Sequence, residues 1–78
     1  MDDNTLKNIA NNLADTYINS ETEFADKFDV IKDKIKTARE GYIIGRLCDV
    51  YREAKQELYD TDTAKQKQRD VFLKAEII

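Results

Sequence analysis

The chain has 78 residues, no proline, tryptophan or histidine, and only two glycines. Its charged fraction is 37% and its hydrophobic fraction 41%, with a net charge of −3. These totals exclude a second domain, a typical disordered chain, a strongly basic nucleic-acid binder and the histidine-based catalytic and zinc sets. Scarce breakers and abundant charge predict an all-α domain spanning 1–78, a small bundle of three or four helices.

The first helix is predicted from Asn4 or Thr5 to Ile18. Leu6, Ile9, Ala10, Leu13, Tyr17 and Ile18 form its apolar face, and Asp2 and Asp3 lie at the positive end of its dipole. Before it, Met1-Asp2-Asp3-Asn4 is polar and lacks a signal-peptide core. Asn19-Ser20-Glu21-Thr22 is a break, with Ser20 and Glu23 spaced as a capping box.

A second helix is predicted from Glu21 to Glu40. Phe24, Phe28, Ile31, Ile35, Ala38 and Tyr42 follow at alternating steps of four and three, a heptad seam. The seam then fails: Gly45, Asp49, Arg52 and Gln56 occupy its next positions. A second seam, Ile44, Leu47, Tyr51, Ala54 and Leu58, starts about 100° around the helix. The slip coincides with Gly41 and Gly45. Gly41 either ends helix two or lies inside a long helix whose stripe changes phase. No Ser, Thr, Asp, Asn or Pro follows Gly41 to cap a new helix, which favours a long central segment bent or re-phased at Gly41–Gly45.

Helix three proper is expected over Tyr42 to Tyr59, and Asp60-Thr61-Asp62-Thr63 is the next break. Asp62 or Thr63 is a candidate cap for a last helix from Ala64 to about Ala75, with Thr63 and Gln66 spaced as a capping box. Its apolar face is Ala64, Gln68, Val71, Phe72 and Ala75, with Leu73 and Ile77 beside it. No apolar run approaches membrane-spanning length.

Chemistry-bearing constellations are sparse. Cys48 has no base spaced to activate it and reads as a small buried hydrophobe, and a lone cysteine fits a reducing, cytoplasmic setting. Asp60-x-Asp62 fails as a calcium loop because Lys65 and Val71 stand where glycine and glutamate are required. Carboxylates one turn apart, such as Asp29/Asp33 and Glu53/Glu57, lack the Glu-x-x-His partners of carboxylate-bridged metal bundles. No cofactor, metal or small-molecule substrate is indicated.

Two segments carry more apolar surface than one helix face holds. Tyr42, Ile43 and Ile44 are consecutive and span about 200° of a helix. Leu73, Ile77 and Ile78 give the chain's end apolar side chains on more than one side. With Gly45 permitting close approach, these residues form an expected interface with a protein partner or a second copy. The expected function is a small, non-enzymatic helical interaction or assembly module, a homo-oligomer included. Abundant Asn, Asp, Lys, Ile and Tyr suit an AT-rich genome, bacterial or phage. The alternative is a nucleic-acid-associated regulator using Lys65, Lys67 and Arg69, which the acidic balance disfavours.

Overall fold

A computed structural model describes the whole chain, Met1–Ile78. It contains four helices and no strand: α1 (Asp3–Asn19), α2 (Glu21–Lys32), α3 (Ala38–Lys55) and α4 (Thr61–Ala75). The molecule measures 32 × 32 × 16 Å, a flattened shape half as thick as it is wide. α1 and α3 form the central pair; α2 flanks α1, and α4 flanks α3.

Each helix starts on a side-chain cap. Asp2 accepts from the Thr5 amide at 2.7 Å, Ser20 from Glu23 at 3.3 Å, and Asp60 from Thr63 at 2.7 Å. Hydrogen bonding from the Thr5 amide and then its hydroxyl holds the Asp2 carboxyl below the usual range, and from the Thr63 hydroxyl and then its amide that of Asp60. The expected break at residues 19–22 narrows to Ser20, and the one expected at 60–63 falls earlier, at Gln56–Asp60: α3 ends at Lys55 rather than Tyr59, and α4 starts at Thr61 on an Asp60 cap rather than at Ala64 on Asp62 or Thr63.

The central segment corrects the sequence expectation. The chain leaves helical geometry after Lys32 and resumes at Ala38, so the helix predicted over 21–40 is two pieces. Thr37 caps α3 by accepting from the Glu40 amide at 3.1 Å, and Glu40 Oε1 accepts from the Thr37 amide at 3.2 Å, a reciprocal capping box. Gly41 and Gly45 lie inside α3, neither with positive φ. The first seam is therefore split: Phe24, Phe28 and Ile31 lie in α2, Ile35 in the five-residue link 33–37, and Ala38 and Tyr42 in the first turns of α3, where the second seam takes over.

The far end of α3 closes in a Schellman motif. Leu58 N–H donates to Glu53 O and Glu57 N–H to Ala54 O, while Glu57 holds the left-handed position at φ 59° that glycine usually fills. Tyr59 then folds back, its hydroxyl donating to Val50 O at 2.8 Å. Burial pushes this phenol up to about 12.

The core sits between α1, α3 and α4. Leu6, Leu13, Ile43, Ile44 and Leu47 are fully enclosed, and Ala10, Ala14 and Ala75 let the helices approach closely. Cys48 is buried among them, and burial raises its thiol pKa. α2 contributes no fully buried residue; its Phe24, Phe28 and Ile31, with Ile35 of the link that follows, are half-covered against the core. The accessible surface is 5170 Å², against about 4,900 Å² expected for a compact 9.1 kDa monomer. The fold thus closes on itself rather than lying open.

Candidate interaction surface

The expected interface residues separate into two groups. Ile43 and Ile44 are at 0% exposure inside the core, which corrects their assignment to a partner surface. The reason is that α1 lies against one side of α3 and α4 against another, so two adjacent side chains both find protein. Tyr42 is half-buried, with the Arg46 guanidinium 5.7 Å from its ring centre. Gly45 is exposed, and a Cβ added there would meet nothing within 4 Å.

The terminal residues are in the other group. Leu73 is 62% exposed, Ile77 88% and Ile78 55%. On α4 the buried positions are Ala64, Val71 and Ala75, one to two turns apart. Leu73, two residues from both Val71 and Ala75, points away from that buried face, and Ile77 follows the end of the helix.

Three contacts fix which end of the bundle this is. The Met1 ammonium donates to Glu40 Oε2 at 2.7 Å, Arg39 lies 3.8 Å from Asp3, and the Lys7 ammonium sits 5.5 Å from the Phe72 ring centre. The starts of α1 and α3 and the end of α4 therefore meet. Ile77 and Ile78, which follow the end of α4, lie at this end, while the Met1 side chain is mostly covered.

Glu40 is the polar hinge of that end. It is buried, accepts from the Met1 ammonium, and accepts from the Lys36 and Thr37 amides at 2.9 and 3.2 Å. The hydrogen bond from the ammonium, then those from the amides, hold its carboxyl below the usual glutamate range. One side chain thus starts α3, ties down residues 36–37 and anchors the head of α1. Its signal in the sequence is Thr37-x-x-Glu40 ahead of Ile43 and Ile44, which the uninterrupted seam through Ile35 and Ala38 masks.

Lys65, Lys67 and Arg69 are all exposed on α4, with Lys65 and Arg69 one turn apart. The Lys67 ammonium lies 5.2 Å from the Tyr59 ring centre, and Arg69 donates to Gln66 at 2.9 Å. A shallow groove between α3 and α4 is lined by Arg46, Asp49, Glu53, Lys67, Asp70 and Lys74, so bases alternate with acids. No three Cys, Asp or Glu side chains converge in a geometry that holds a metal ion, and no helix is long and apolar enough to cross a membrane. No family model matches the chain, and neither a curated protein nor a solved structure does.

Proposed function

We propose that this chain is a small helical interaction module that docks another protein on the apolar C-terminal surface of Leu73, Ile77 and Ile78. The exposure of Leu73 on α4 and of Ile77 and Ile78 just past its end carries this reading. Covering exposed apolar side chains contributes about 25 cal/mol per Å² removed from water, which is what a partner docking here would gain. A non-enzymatic role agrees with the absence of histidine, the enclosed thiol of Cys48 and a groove whose charges alternate.

The test is a photo-cross-linking residue placed at Ile77 and, as a control, at Val30, which is 62% exposed on α2. The expected result is a discrete protein adduct at position 77, absent at position 30 and lost on adding Leu73→Ser. Equal labelling at both positions, or none at 77, would refute the reading. Circular dichroism of Leu73→Ser should match the parent, since the side chain stabilises no neighbour.

A further inference from the structure

α1 and α2 are joined by a single non-helical residue, Ser20, at φ −165° and ψ 117°. The backbone ladder nearly spans the junction already: Ser20 N–H donates to Thr16 O at 2.8 Å, and Phe24 N–H to Ser20 O at 3.0 Å. Only the amides of Glu21, Thr22 and Glu23 lack helical bonds back to Tyr17, Ile18 and Asn19.

The apolar pattern crosses the junction in phase. Tyr17 and Phe24, Leu13 and Phe28, and Ala10 and Ile31 are pairs, each equally distant from the Ser20–Glu21 peptide bond. On one unbroken helix all six residues fall within an arc of about 60°. The hairpin brings the first pair together, the Tyr17 and Phe24 rings meeting edge to face at 5.2 Å. Two straightened copies lying antiparallel, with their two-fold axis at that bond, would pair the same residues between chains.

From this symmetry we infer that a second copy of this chain is a partner, and that the two copies associate by exchanging α1. Each α1 then packs on α2, α3 and α4 of the other copy, and every core contact is remade between chains. Only the hinge differs. It loses the long 3.3 Å cap from Ser20 and gains three helical hydrogen bonds. Because α1 supplies Leu6, Ala10, Leu13 and Ala14 to the core, exchange passes through unfolding, and the two forms interconvert slowly once folded. This association leaves Leu73 and Ile77 uncovered and stands apart from the docking role assigned to them.

The experiment uses the natural chain. Equal amounts of nitrogen-14 and nitrogen-15 protein are unfolded together, refolded at millimolar concentration and separated by size with light scattering. A zero-length carbodiimide then joins Lys55 to Asp15, which are ion-paired between α3 and α1. The expected result is a dimer in which about half of the Lys55–Asp15 linked peptides mix isotopes, as random pairing of equal pools dictates, and a monomer in which none do. Glu21→Pro should lower the dimer fraction at least about 100-fold, since proline suits the first position of α2 but breaks a continuous helix. Ser20→Ala should raise it about fivefold per hinge by removing the cap. Absence of a dimer, a dimer whose linked peptides never mix isotopes, or equal dimer in Glu21→Pro would overturn the inference. The second of these outcomes would leave the end surface free to explain the association.

Discussion

α1 and α2 carry comparable apolar stripes, yet α1 encloses Leu6, Ala10, Leu13 and Ala14 while α2 encloses nothing. Their stripes do not explain this; α2 has the larger side chains, including Phe24 and Phe28. The difference is the number of neighbours. α1 lies between α2 and α3, whereas α2 rests on α1 at the edge of a slab 16 Å thick. A stripe records what a helix offers, and burial records how many partners accept it.

The comparison is broken or sharpened first by truncation. Leu47→Ala, at 0% exposure, should lower stability by about 3 kcal/mol in urea denaturation. Phe28→Ala removes a larger but half-covered side chain and should cost about half as much, roughly 1.5 kcal/mol. An equal loss at the two sites would mean that α2 is bound as firmly as α1. Amide exchange offers a second view: the α2 amides should open well before those of α3, whose release tracks global unfolding.

Smaller effects separate the junctions. Thr37→Ala should cost about 1 kcal/mol by removing the α3 cap, with the same denaturation readout. Gly45→Ala should stabilise by about 0.8 kcal/mol, because its φ is not positive and open space awaits the methyl group. A loss there would place a neighbour against α3 that the isolated chain does not contain. The smallest effect is acidic. The Glu40, Asp2 and Asp60 carboxyls are lower in the folded than in the unfolded chain. Their contribution is complete above the unfolded values near 4.5 and 3.8 and disappears as pH falls through the folded ones. Melting temperature should hold steady above that range and decline below it, and Glu40→Gln should flatten the decline.

The all-helical class and two of the three breaks were legible because Ser20 and Asp60-Thr61-Asp62-Thr63 interrupt the apolar pattern where caps also stand. The third break was not, for a physical reason. Phe24 to Tyr42 keeps helical spacing straight across residues 33–37, so periodicity argued for continuity while Thr37 and Glu40 argued for a new start. Local hydrogen bonding outweighed a pattern that carries no information about chain direction. The apolar end of α4 was legible from Leu73, Ile77 and Ile78 alone. Ile43 and Ile44 were not separable from it, since whether two adjacent side chains are both covered depends on helices brought in from elsewhere in the chain.

Cys48 turns the core into its own reporter. It is the only sulfhydryl in the chain and is buried within the core, with its ionisation suppressed by the same enclosure. A thiol-reactive dye can reach it only when the helices part, so the labelling rate at fixed pH counts openings directly. The chain thereby carries a clock for how often its two central helices separate, requiring no engineered probe.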